Sequence, residues 1–291
     1  MKLRLGALIL LVSVDALAKI NVVTTLPDIA EVVRAIGGDH VTVQSLLSGS
    51  EDPHYAEARP DFILKVNKAD VVCSMGLDLE IGWLPKVLSK SGNARVQPGG
   101  KGYCELGRSV ETLNKPTGRI DRSLGDVHAH GNPHFNLSPR KLGESGGEVL
   151  KVLSSLDPAN KSEFEANYSK FDKTMNELEA QLKSQLGKMT VMEYHQEFTY
   201  FFNAYGLNSV GSLEEKPGVP PSAARIAKMA QIAKKNKVSV LYATAATPHK
   251  IRERFEELSG VKVKTLPSYV QSHQDPKTIE ALQKLLVESL Q

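Results

Sequence analysis

Residues 158–187 read PANKSEFEANYSKFDKTMNELEAQLKSQLG. Phe164, Tyr168, Phe171, Met175, Leu178, Leu182 and Leu186 recur at steps of three and four, which lays one apolar stripe along an amphipathic helix. Gly187 stops it. At 1.5 Å per residue such a helix runs roughly 40 Å, longer than one small domain needs. The segment therefore reads as a rigid backbone between two lobes, and the flanking sequence decides what those lobes are.

Both flanks alternate strand-like and helix-like runs. Upstream, in residues 19–157, INVVTTL (20–26), VTVQSLL (41–47) and DVVCSM (70–75) are short and rich in β-branched residues. Between them DIAEVVRAIGG (28–38) and PDFILKVNKA (60–69) carry helical spacing. Downstream, in residues 188–291, MTVMEYH (189–195), NSVGSL (208–213), VSVLYAT (238–244) and VKVKTL (261–266) resume the rhythm, with helices expected at 222–235 and 248–258. A βαβα rhythm predicts a parallel sheet covered by helices. The expected fold is α/β: two such lobes, 19–157 and 188–291, joined by the helix 158–187, without a repeat in sequence. Helix starts are expected at Ser138-Pro139, Asp157-Pro158, Thr247-Pro248 and Asp275-Pro276, where a capping side chain precedes a proline in the first helical position.

The opening MKLRLGALILLVSVDALA has basic Lys2 and Arg4, an apolar run from Leu5 to Val14, and Ala16-Leu17-Ala18, the pattern of a signal peptide cleaved after residue 18. A periplasmic, soluble chain is expected, without a transmembrane helix, and without a lipid anchor, because no cysteine stands at the cleavage point. The formal net charge of +3 in 291 residues gives no basic face for nucleic acid. Cys73 and Cys104 are the two cysteines. They suit a disulfide or two buried thiols equally.

Three histidine-bearing stretches carry the candidate chemistry. GSEDPHYAEARPDF places His54 after the second strand, DVHAHGNPHFNLSP (126–139) places His134 four residues ahead of the Ser138 cap, and TVMEYHQEFTYFFNAYG places His195 at a strand end. Taken singly, they read as turn surface, a mobile loop and a hydrogen-bonded core residue. Their shared location changes the balance, since ligands of open α/β sheets gather beyond the carboxyl ends of strands. Three imidazoles make most of a tetrahedral zinc shell, and suit zinc better than manganese, which prefers carboxylate oxygen. His128 and His130 lie in an aperiodic, glycine-bearing stretch and read as a surface loop that either helps capture metal or has no role, so that deleting residues 127–131 leaves high-affinity zinc binding nearly intact.

DPHYAEARPDF (52–62), MGLDLEIGW (75–83), NPHFNLSP (132–139), EYHQEFTYFFNAYG (193–206) and EEKPGVPPS (214–222) together resemble the zinc- and manganese-binding substrate-binding proteins of bacterial ABC transporters, a family that includes the adhesin lipoproteins. The resemblance implies two α/β lobes on one long helix, an ion held between them by His54, His134 and His195, and delivery to a membrane permease by a monomeric protein. Family members often supply a fourth ligand, an aspartate, from the loop after the last strand. In TLPSYVQSHQDP (265–276) Ser268 stands in its place. The replacements are water, which this reading favours, His273, or Asp275, which ranks last because it is expected to cap a helix. Zn2+ is the expected ion. The alternatives are a manganese-binding homologue, an adhesin, or a zinc hydrolase using the open position with Glu80, Glu197 or Glu214 as base; no H-E-x-x-H motif supports the last.

Overall fold

The central strands of each sheet are apolar and buried on both faces, and this fixes the layering of the protein. A computed structural model describes residues 19–116, 128–216 and 218–291; the leader read at 1–18 lies outside the described residues. The first sheet has β1 (Ile20–Thr24), β2 (Val41–Ser45), β3 (Val71–Ser74) and β4 (Tyr103–Glu105) in the order β2-β1-β3-β4. The second has β5 (Thr190–Glu193), β6 (Asn208–Ser212), β7 (Val240–Ala243) and β8 (Lys262–Thr265) in the order β6-β5-β7-β8. Every pairing is parallel. In β3 and β7 all four residues are buried, whereas edge strands β6 and β8 are largely exposed. That contrast is what burial on both faces produces in a parallel sheet covered by helices.

The helices are α1 (Pro27–Gly37), α2 (Pro60–Asn67), α3 (Leu84–Ser91), α4 (Pro139–Leu156), α5 (Lys161–Lys183), α6 (Thr199–Tyr205), α7 (Ala223–Lys235), α8 (His249–Ser259) and α9 (Ile279–Glu288). The long helix, α5, packs against α1, α4, α6 and α9. Its Phe164, Phe171, Met175, Leu178 and Leu182 are buried in a core that runs from the first sheet through to Phe201, Tyr205 and Leu286 of the second lobe. A separate core, with Met192, Leu213, Met229 and Phe255, lies between the second sheet and α7 and α8. Close approach of α4 to α5 depends on small residues: a Cβ on Gly143 would fall 2.8 Å from Asp172 Oδ1 and 3.2 Å from Met175 Cβ.

Two α/β lobes on a long helix match the expected class, but the helix is shorter than its stripe. Residues Pro158–Asn160 form a tight 3-10 turn, closed by Asp157 accepting from Asn160 N and Nδ2, and Tyr168 and Leu186 are only half-buried. Ser138 does cap α4, accepting from Lys141 N. The other two expected caps do not form. Helix α8 begins at His249 without a side-chain cap, and Thr247 Oγ1 is buried without a partner. Helix α9 begins three residues beyond Pro276, capped by Thr278 through Ala281 N. Cys73 and Cys104 are buried free thiols at paired positions of β3 and β4.

After β8 the chain crosses to the first lobe. Val270 N donates to Asp28 Oδ2, Gln271 Nε2 to Gly49 O, Ser272 N to Ser48 O and Ile279 N to Glu31 Oε2. Gly49, at φ +89, permits that crossing, since a Cβ there would lie 1.9 Å from Val270 O.

Candidate metal centre

His54 follows β2 in a loop fixed by Trp83, whose Nε1 donates to Pro53 O at 2.8 Å. Asp52 Oδ1 accepts from His54 N at 3.0 Å and lies 2.7 Å from His54 Nδ1. Burial opposes ionisation of Asp52, but its bonds to His54 outweigh that and hold its carboxyl below the usual range. His134 is 1% exposed. Its backbone N–H donates to Asn132 Oδ1, and its Nδ1 meets Tyr269 Oη from the other lobe at 2.9 Å. Its Nε2 is buried with no hydrogen-bond partner. Burial, and then the neighbouring rings, push its pKa well below the ordinary histidine value, so it is neutral. His195 follows β5, with Nδ1 2.8 Å from Glu214 Oε2. Burial lowers its pKa, yet Glu214 and the charges of Glu197 and Glu193 raise it on balance.

The structure brings these three rings together. Their ligand atoms all lie within 4.8 Å of one another, and the ring centroids are 5.3 Å (His54–His134), 5.5 Å (His54–His195) and 5.5 Å (His134–His195) apart. Imidazoles bound tetrahedrally to one zinc at about 2.0–2.1 Å place their centroids roughly 5 Å apart. In each ring Nδ1 is held by an oxygen of Asp52, Tyr269 or Glu214. Such outer partners fix the tautomer and ring orientation of metal-binding histidines. The donor set suits a borderline-soft divalent ion.

His273 does not join them. The hydrogen bonds of Val270–Ser272 to the first lobe turn it outward, and it is exposed on a separate depression with Arg34 and Lys277. Asp275 is exposed on the wall of a cavity of about 470 Å³ that also borders His54, His195 and Glu197. Ser268 is buried, and its hydroxyl donates to Glu197 Oε1. Glu80 accepts from Thr25 Oγ1, Met75 N and Gly76 N. With Glu214 on His195, each carboxylate considered as a hydrolytic base already has a partner.

Sequence reading missed four residues of this centre: Asp52, Glu214 as an anchor, Tyr269 and His128. Asp52 lies two positions from its histidine and was within reach. Tyr269, 135 residues from His134, carries no sequence signal. His128, read as surface loop, is instead half-buried with its Nε2 3.3 Å from His54 Nε2. His130 is exposed, as expected of that loop.

The family model "Zinc-uptake complex component A periplasmic" matches residues 22–291. Among curated proteins the chain is 27% identical over 259 residues to the zinc-binding lipoprotein AdcA of Streptococcus pneumoniae, covering 85% of this chain and 50% of AdcA. It thus spans about half the length of that relative. It is 26% identical over 256 residues to the iron ABC transporter substrate-binding lipoprotein MtsA of Streptococcus pyogenes, covering 84% of this chain and 78% of MtsA. Among solved structures, ZnuA superposes with a TM-score of 0.76 at 22% identity, covering 94% of this chain and 98% of its own. The periplasmic zinc-binding protein TroA of Treponema pallidum gives 0.74 at 21%, with the same coverages of 94% and 98%. The manganese complex of FpvC from Pseudomonas aeruginosa gives 0.76 at 23%, with 94% and 97%. These structural likenesses are of fold. With a model matched across all but the first residues of the described structure, the chain belongs to the zinc-uptake complex component A family of substrate-binding transport proteins.

Proposed function

We propose that the protein captures one zinc ion between its lobes, outside the cytoplasm, and delivers it to the permease of an ABC transporter as a monomer. His54, His134 and His195 are the ligands. The reading rests on one observation above the others: His134 Nε2 is buried without a partner and faces two further imidazoles whose Nδ1 atoms are already engaged. A buried polar atom left unpaired costs about 1–3 kcal/mol, and a bound cation removes that cost at His134. Relatives bind zinc, iron or manganese by name; an imidazole cluster without a carboxylate favours zinc over manganese. Binding without turnover is favoured over hydrolysis because Glu80, Glu197 and Glu214 are each committed to a hydrogen bond.

Zinc titration against a competing chelator tests this. Wild type should hold one ion per chain, and His54→Ala, His134→Ala and His195→Ala should each weaken binding by orders of magnitude with the fold retained by circular dichroism. Wild-type affinity in any one variant removes that residue from the shell. Because imidazoles must be neutral to coordinate, affinity should fall as pH drops. The fall begins above the ordinary histidine value near about 6.5, where His195, raised by its carboxylate neighbours, takes up its proton, while His134 stays neutral well below it.

A further inference from the structure

We propose that His128 is a fourth zinc ligand, so that the ion sits in an all-imidazole shell whose last member comes from the loop preceding His134. The inference rests on the zinc-binding reading above and extends it to the ligand that sets metal preference.

Three observations carry it. First, His128 Nε2 lies 3.3 Å from His54 Nε2, with ring centroids 5.3 Å apart. Two nitrogens on neighbouring corners of a tetrahedron of radius about 2.0–2.1 Å stand roughly 3.3–3.4 Å apart. Second, the ring is anchored like the other three. The backbone carbonyls of Leu77 and Asp78 accept hydrogen bonds from it, and both residues lie in the MGLDLEIGW turn with positive φ, 54° and 66°, which aims consecutive carbonyls where ordinary extended chain does not. Third, the loop is stapled where it leaves and returns: Asn132 N donates to Leu113 O at 2.8 Å, Thr112 Oγ1 to His130 O at 2.8 Å, and Asn132 Nδ2 to Gln196 O at 2.5 Å. An exposed loop histidine with no task needs none of these. The His128–His134 centroid distance, 6.4 Å, is about an ångström longer than the 5.3–5.5 Å of the four shorter edges, and among the described residues His128 makes no close ring contact with His195, so the loop must shift inward when an ion draws the rings together.

Glu197 is the competing donor. Its Oε1 is engaged by the Ser268 hydroxyl; the cluster of mutually close ligand atoms among the described residues holds only His54, His134 and His195, so His128 joins it by the loop shift and Glu197 would have to give up its hydroxyl partner. A neutral four-imidazole shell holds zinc and disfavours manganese, which a carboxylate in the same corner would admit.

The test uses the full chain and zinc alone. Chelator competition is measured for wild type, His128→Ala, His130→Ala and Glu197→Gln, and zinc-edge X-ray absorption is recorded on loaded wild type. The expected result is four imidazoles in the absorption spectrum. His128→Ala should lose affinity by about 100-fold or more, beyond the usual effect of an outer-shell partner, with His130→Ala and Glu197→Gln close to wild type. His128→Asp should shift the zinc-to-manganese affinity ratio toward manganese by at least about tenfold. Three imidazoles and one oxygen, with His128→Ala binding as wild type, overturn the fourth ligand and leave the three-histidine reading standing. A wild-type chain that holds no zinc overturns both. The spectrum of wild type decides the matter even where a variant misfolds.

Discussion

The two lobes share one strand order, yet they furnish the metal centre from different positions. In the first, the loop after edge strand β2 carries a proposed ligand, His54, together with the oxygen that holds it, Asp52. In the second, the equivalent loop after β6 carries only the holding group, Glu214, and the proposed ligand His195 follows the central strand β5. His134 is held across the divide by Tyr269. The sheets thus determine where loop ends converge, and the loops choose ligand or support. Anchoring also grows less local along the series: two residues away for His54, nineteen for His195 and 135 for His134.

The cores differ in the same way, and the largest expected effect probes that. Phe164 and Phe255 are both fully buried, the first in the core shared by both lobes, the second in the separate outer core of the second lobe. Truncation of either to Ala should cost about 3–5 kcal/mol. Hydrogen exchange should separate them: Phe164→Ala should lower amide protection in both sheets, Phe255→Ala chiefly around β7, β8 and α7. Equal loss in both sheets for Phe255→Ala breaks the division into two cores.

Next in size, Asp52→Ala and Glu214→Ala should each weaken zinc binding about 10–100-fold, the usual effect of losing an outer-shell partner. Similar losses support equivalent roles for a local and a distant anchor; an unaffected Asp52→Ala shows that Trp83 and Pro53 alone orient His54.

A third expectation, whose size depends on the pH at which it is read, concerns a tie between the lobes. Asp28 accepts from Asn136 Nδ2 and Val270 N, both at 3.1 Å. Burial, only partly offset by those bonds, raises its pKa from 3.8 to about 7. The folded protein therefore binds this proton more tightly than the unfolded chain. Its contribution to stability is fully present below the unfolded value near 4 and is lost as pH rises through 7, at a slope of about 1.4 kcal/mol per pH unit. Asp28→Asn should lower the slope seen in urea melts between pH 4 and 7, leaving what other buried carboxyls such as Glu193, raised to about 8, contribute. A slope unchanged in the variant means that Asp28 is ionised throughout.

Much of this was legible in the sequence because period and burial coincide. Central strands such as Val71–Ser74 are unbroken apolar runs, and the stripe from Phe164 to Leu182 could only face a core. The convergence of His54, His134 and His195 was foreseeable because each stands beyond a strand or before a helix, where loops converge. What failed depended on contacts remote in sequence. Asp275 looked like a cap, but the crossing from Val270 to Ile279 is set by hydrogen bonds to the first lobe, and Thr278 takes that role. His128 lacked periodicity, and its burial comes from the turn at Leu77 and Asp78 and from His54, neither of which a local pattern reveals.

Tyr200 draws a final consequence from the base of the histidine loop. Its hydroxyl accepts from Leu113 N and donates to Asn132 O, both at 2.9 Å, so the chain departs and re-enters at a single clasp beside the second lobe. With its ends pinned, such a segment can gain or lose residues while His134 keeps its station, since doubling a loop's length adds only about 0.6 kcal/mol of closure entropy. Insertion tolerance is thereby gathered at one clasp, beside the proposed metal centre. A lineage could lengthen, shorten or recharge the part of that segment ahead of His128 without redesigning the proposed centre beyond it.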